Sequence, residues 1–485
     1  MNVINIPRFP IETAKYERYA HPRYKGNPFV ETLQLSKLTG ERVSKEALHK
    51  AIERMPLLPG RSIRSAGDFS RELELDTLCD VVHPRPAYRQ AIVGVLKTVM
   101  GTYAHRNPLS VEVVARRHDL AFLESKDVFV DGQLNRANRF FVGWRGAAGG
   151  YGIFGGTGAG KTTLIDAICR MLGKVIRHES YRGNELGLLQ LPVLNMSVPH
   201  DATMRSFILQ FAALIDYHLD EQLYEKQVRG LRTIGDAALL MTRICAAINL
   251  GALIVDDLQN LRVARGAGVD VALNLLALLI DFGTSVITVA TPAVGQLLTT
   301  RTRNTRKLIS NGFTELGMML PGSVESQNYQ DAHWPYQYTS KVTRLSSSIR
   351  SSWERAGAGN PAFSTLAYKL VQSHLIGELD EKITPDVFDY VAHIDMAPLK
   401  PAIDALKSGD PVQMQKFDDL VFKEEVRELF DKLGVQRAAT SDDRSAFNDE
   451  PAAGASKPRY RKPAGPVTRA KALPHEDPLS LMALD

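Results

Sequence analysis

Gly152-Ile-Phe-Gly-Gly-Thr-Gly-Ala-Gly-Lys-Thr162 is the stretch that decides the fold of this chain. A short apolar run enters it, and a helix is predicted over Lys161–Leu172 on its far side. Gly155 to Thr162 satisfies GxxxxGK[ST], and the spacing follows from the chemistry. The small residues Gly155, Gly156, Gly158, Ala159 and Gly160, with Thr157 among them, let successive backbone N–H groups curl around phosphates. Lys161 reaches the terminal phosphates, the Thr162 hydroxyl ligates magnesium, and Thr163 completes the loop. The bland alternative is a glycine-rich turn that only matches the pattern. Strand, loop and helix in succession argue against it.

About 95 residues downstream, Ala252-Leu-Ile-Val runs into Asp256 and Asp257. A carboxylate at the end of a buried strand can hold a magnesium shell while its neighbour orients water. Asp256 takes the first role and Asp257 the second. Thr291, after Val286-Ile-Thr-Val-Ala, ends the next strand and is placed to touch the terminal phosphate or the water; a plain strand-end threonine is the competing reading. Arg301, Arg303, Arg306 and Lys307 crowd the following segment. They form either a solvated basic face or the source of an arginine that reaches a neighbouring subunit's nucleotide, with Arg303 or Arg306 as the candidates.

Strands alternate with helices on either side of these motifs. Helices are predicted over Thr203–Tyr217, Ala237–Ile248 and Val271–Phe282, and strands at Leu191–Val198, Ala252–Val255 and Val286–Ala290. That alternation predicts an α/β fold with a parallel sheet covered on both faces. The expected organisation has four parts: a helical, partner-facing region over 1–125 that includes a helix at Ser44–Met55, the P-loop domain over 126–325, a helical region over 326–435, and a disordered basic tail over 436–485. Gly357-Ala-Gly-Asn-Pro361 reads as a break between helices.

The chain has 485 residues, 44% hydrophobic and 23% charged, and a formal net charge of +5. These values suit a globular protein of several domains and permit a nucleic-acid partner without demonstrating one. Cys79, Cys169 and Cys245 form no CxxC pair, so neither a zinc site nor a disulfide framework is indicated. No apolar run has membrane-spanning length and no signal peptide opens the chain, so a cytoplasmic protein is expected, with no membrane partner.

Five stretches together resemble AAA+ ATPases and, more narrowly, the TnsC/TniB family of transposition regulators. They are His21-Pro-Arg-Tyr-Lys-Gly-Asn-Pro-Phe-Val-Glu-Thr-Leu33, the phosphate loop, Leu191-Pro-Val-Leu-Asn-Met-Ser-Val-Pro-His-Asp-Ala-Thr203, Leu253-Ile-Val-Asp-Asp-Leu-Gln-Asn-Leu261 and Val289-Ala-Thr-Pro-Ala293. Gln259-Asn260-Leu261 is the most family-specific of these features. One departure stands out. The family's glutamate after the first aspartate is Asp257 here, one methylene shorter, so turnover is expected to be slow.

The resemblance implies ATP and Mg2+ as cofactors and a homo-oligomeric ring or filament on duplex DNA. It also implies a bridge from a TniQ/TnsD-type target selector to a transposase of TnsA/TnsB type. Lys226, Arg229 and Arg232 are the DNA contacts it suggests, against the equal alternative of a solvated helix face. Lys457, Arg459, Arg461, Lys462, Arg469 and Lys471, followed by Pro478-Leu-Ser-Leu-Met-Ala-Leu-Asp485, read as a recruiting arm or as a plain solubilising tail. Two other functions compete: an initiator-like or STAND-like AAA+ protein that loads or senses DNA without a transposase, and a small-molecule P-loop kinase. The large flanking regions argue against the kinase.

Overall fold

Five parallel strands in the order β5-β1-β4-β3-β2 carry the molecule: β1 Gly150–Gly155, β2 Val193–Ser197, β3 Ala252–Asp256, β4 Ser285–Ala290 and β5 Phe313–Leu316. A computed structural model describes residues 7–17, 24–33, 51–130, 133–134, 148–263, 268–294, 301–408 and the single positions 298, 413 and 417. The register runs Gly150↔Val286 between β1 and β4, Ala252↔Ser285 between β3 and β4, and Val193↔Ala252 between β2 and β3. Every residue of β1, β3 and β4 is buried. Continuous apolar runs such as Ala252-Leu-Ile-Val are what a parallel sheet covered on both faces requires.

Alternate side chains feed two cores. Ile153, Ile254, Ile287 and Val289 pack with helix Lys161–Leu172 and helix Pro86–Ala104. Leu253, Val255, Val286 and Phe313 pack with helices Met204–Leu219, Ile234–Ala247 and Gly268–Asp281. Two of these helices start at threonine caps. The Thr203 hydroxyl accepts from the Ser206 N–H, and that of Thr233 from the Asp236 N–H, each satisfying a donor the helix leaves open.

The packing runs across the boundary expected near residue 125. Helix Pro86–Ala104 lies on the sheet, where the Tyr103 hydroxyl donates to the Leu191 and Asn249 carbonyls at 3.2 and 2.9 Å. Leu75, Leu78 and Val81 instead join the core of the C-terminal helices with Trp353, Tyr368 and Phe388. There Arg71 and Glu381, both buried, form an ion pair at 2.5 Å. Burial alone would raise the Glu381 carboxyl. The Arg71 hydrogen bond and the Ser340 and Gly377 N–H groups outweigh it and hold the carboxyl down at about 2.

A hairpin without a counterpart in the sequence reading joins the P-loop helix to β2. Val175–Tyr181 pairs antiparallel with Asn184–Gln190 through a two-residue loop, and Ile11–Thr13 adds a parallel third strand. Arg182 and Gly183 both have positive φ, 50° and 87°, the conformation that matches strand twist in a tight hairpin. Asparagine or aspartate usually announces that turn, and arginine gives no such signal.

Gly357 does end a helix, Ser347–Gly357, and Pro361 opens the next, Pro361–Leu375. Of the helix expected over Ser44–Met55, only 51–55 lie within the described residues, and the whole 436–485 tail lies outside them. Among the described residues no helix is long and apolar enough to cross a membrane.

Candidate active site

The phosphate loop joins β1 to helix Lys161–Leu172 through two left-handed glycines, Gly158 at φ 80° and Gly160 at φ 89°. Neither tolerates a side chain. A Cβ on Gly158 would lie 2.5 Å from Asn360 Oδ1, and one on Gly160 only 1.8 Å from the Tyr88 hydroxyl. The Ala159 N–H donates back to the Gly156 carbonyl at 3.0 Å and closes the turn. Lys161 Nζ lies across the loop, donating to the Gly155 and Gly156 carbonyls at 2.8 and 3.1 Å. With Thr162 and Thr163 in the first helical turn, open N–H groups and the helix dipole face the same place, a ready anion site.

The tips of β3 and β4 stand beside the loop. Asp256, buried at the end of β3, accepts the Asp257 N–H at 2.8 Å. Burial first, then the Asp257 charge, push the Asp256 carboxyl up to about 6, with Lys161 pulling the other way. Asp257 turns at φ 55°, in the left-handed region that aspartate tolerates better than most residues. Thr291 follows β4, buried, with its hydroxyl unpartnered among the described residues. Lys161, Asp256, Asp257 and Thr291 are thus brought together around the loop. Two adjacent carboxylates, one of them buried and reluctant to ionise, suit a hard cation, and Thr162 with Asp256 are the residues that would hold magnesium.

Three residues that the sequence reading passed over also reach the loop. The Arg85 guanidinium, buried, donates to the Ala159 carbonyl at 3.2 Å, to the Gly317 carbonyl at 2.5 Å and to Glu325 at 2.6 Å. Tyr88 donates to Ala159 O at 3.3 Å. Asn360 caps helix Pro361–Leu375 with Oδ1 and donates from Nδ2 to the Thr157 carbonyl at 2.8 Å. The Asn-Pro pair announces a helix start. Nothing local announces which loop that start touches. Between the loop and the C-terminal helices lies a cleft of 650 Å³, lined among others by Gly155, Gly156, Pro292, Met318, Arg355 and Lys407.

The basic residues divide into those paired and those exposed without a partner among the described residues. Arg301 is tied to Asp270, and Lys307 pairs with Asp281 at 2.7 Å. Arg303 and Arg306 stand exposed on helix Thr302–Leu308. On helix Tyr224–Gly230, Lys226 is exposed and Arg229 pairs with Glu225 at 2.5 Å, while Arg232 is exposed just beyond it.

Residues 145–298 match the family model described as an AAA domain. The fold is the AAA+ P-loop fold. The AAA+ domain implies nucleotide hydrolysis in general terms. Among solved structures, the chain is similar to the Aeropyrum pernix ORC1 protein in complex with DNA, at 11% identity and TM-score 0.35, over 70% of this chain and 87% of that one. It is also similar to the Thermotoga maritima RuvB Holliday junction branch migration motor, at 14% identity and TM-score 0.30, over 67% of this chain and 85% of that one. No curated protein matches the sequence.

Proposed function

We propose that this AAA+ protein is an ATP-dependent, DNA-binding regulator of transposition. It assembles as a ring or filament on duplex DNA and links a TniQ/TnsD-type selector to a TnsA/TnsB-type transposase. The observation that carries the switch is the clustering of Lys161 and Asp256 with Asp257 and Thr291 at the strand tips, while Arg303 and Arg306 stand exposed on helix Thr302–Leu308. The transposition reading is supported by Leu253–Leu261 and the other stretches that resemble the TnsC/TniB family.

In this reading the loop N–H groups and Lys161 bind the phosphates of ATP. Asp257 orients the attacking water and accepts its proton, and the Thr291 hydroxyl donates to the terminal phosphate. Magnesium, held through Thr162 and Asp256, supplies charge neutralisation when bound. Arg303 or Arg306 enters the neighbouring subunit's site, so that hydrolysis and assembly share one seam. Lys226, Arg229 and Arg232 contact DNA phosphates, which makes binding steeply salt-dependent.

The experiment is assembly on duplex DNA followed by electron microscopy, with transposase capture as a second readout. ATP-dependent assembly that retains a transposase supports the proposal. Assembly that retains none favours the initiator-like or STAND-like reading instead.

A further inference from the structure

One side chain joins the two strand tips. Gln259 Oε1 accepts the Thr291 N–H at 3.1 Å, and Gln259 Nε2 donates to Asp257 Oδ1 at 2.9 Å. The amide orientation is fixed by its partners. A backbone N–H can only donate, so the carboxamide oxygen must face Thr291, which leaves the NH2 group for the carboxylate. Glutamine supplies both functions, whereas glutamate cannot donate and alanine does neither.

The turn that carries Gln259 is itself anchored. Residues Leu258–Val263 form a 3-10 helix, the Asn260 N–H donates to the Asp257 carbonyl at 2.9 Å, and Asn260 Nδ2 reaches the Val198 carbonyl beyond β2 at 3.4 Å. The ends of three adjacent strands are therefore tied through four residues of sequence. Within this frame Asp257 has a short side chain on a left-handed backbone, and a hydrogen bond from Gln259 limits its rotation. On the far side of the bridge, Thr291 has its N–H bound and its hydroxyl buried without a partner among the described residues.

The geometry points to Gln259 as the positioning residue of the site: it sets the Asp257 carboxylate in register with Thr291, so that a displacement of either strand tip moves both. The inference rests on the ATPase reading. Gln259 acts through Asp257 and is not itself a catalytic residue. Misplacement of an attacking group by about 1 Å can cost on the order of 10²-fold in rate, and an effect of that size is expected here.

The test uses the full chain, with steady-state ATP hydrolysis and equilibrium binding of a non-hydrolysable ATP analogue. Gln259→Ala should lower kcat about 10²-fold while analogue affinity stays within about twofold. Gln259→His, which keeps one donor and one acceptor nitrogen, should recover part of the rate, and Gln259→Glu should not. Asp257→Ala combined with Gln259→Ala should be no slower than Asp257→Ala alone, because the glutamine works through the aspartate. Parental hydrolysis by Gln259→Ala would overturn the inference, as would fully multiplicative losses in the double variant or a loss of analogue binding equal to the loss of rate. A parent chain that binds ATP without hydrolysing it ends the ATPase reading, and this inference with it. A parent that hydrolyses and does not respond to Gln259→Ala ends this inference alone.

Discussion

The strand tips and helix Thr302–Leu308 carry charge in opposite ways. At the tips, Asp256 and Asp257 are held by the Asp257 N–H and Gln259, and burial pushes the Asp256 carboxyl up to about 6. On the helix, Arg303 and Arg306 extend into solvent, while Arg301 beside them is already paired with Asp270. A preorganised cluster can act on what it binds without further rearrangement. Two solvated arginines gain electrostatic strength only when something removes water from around them. In the proposed function the tips therefore carry the chemistry and the helix the communication between subunits.

That division can be broken experimentally, starting with the largest expected effect. Lys161→Ala should abolish nucleotide binding, measured by equilibrium titration with a fluorescent ATP analogue. Retained binding would remove the lysine from the phosphate site. Next, Arg303→Ala or Arg306→Ala should cut hydrolysis by about 10³-fold while leaving analogue binding intact, the size expected of an arginine acting in trans. Mixing that variant with Lys161→Ala subunits sharpens the contrast. If the arginine acts across a seam, some activity returns, because each defective chain offers the other the part it lacks. Asp257→Ala should bind ATP, hydrolyse at least about 10²-fold more slowly and persist as an assembled form.

Smaller effects probe regions away from the nucleotide. Arg71→Ala leaves Glu381 buried without its partner and should cost about 3–5 kcal/mol in denaturant unfolding. Because the folded state holds Glu381 below its ordinary value of 4.5, its stabilisation is complete above that pH and is lost as the pH falls through about 2. The gap in stability between parent and Arg71→Ala should therefore narrow as the pH falls towards about 2, where protonated Glu381 no longer pairs with Arg71. The smallest effect belongs to the basic helix: each of Lys226→Ala, Arg229→Ala and Arg232→Ala should reduce the salt slope of DNA binding by about 1 if it contacts a phosphate.

The placement of the loop and the strand tips is legible in the sequence because its determinants are local. The phosphate loop must be small and flexible, β3 must be apolar until Asp256, and Thr291 must follow the next such run, so each motif shows in a few consecutive residues. What the sequence concealed is long-range. Arg85 reads as an ordinary arginine beside prolines until Gly317 and Glu325 are brought to it from more than two hundred residues away. Asn360 reads as a helix cap, and its second bond to the Thr157 carbonyl depends on how the C-terminal helices fold back. The Arg182-Gly183 hairpin was missed for a different reason, an unusual residue in a turn whose flanking strands alternate only weakly. The site thus has a core written in motifs and a surround written in tertiary contacts.

In the proposed function the terminal phosphate of ATP, bound between the strand tips of one chain and the arginine helix of the next, holds copies of this protein together on DNA. Sedimentation of the full chain on duplex DNA with a non-hydrolysable ATP analogue or with ADP tests it most directly. Large, DNA-bound assemblies are expected with the analogue and small species with ADP. A chain that stays monomeric when saturated with the analogue and duplex, or that assembles equally with ADP, contradicts it.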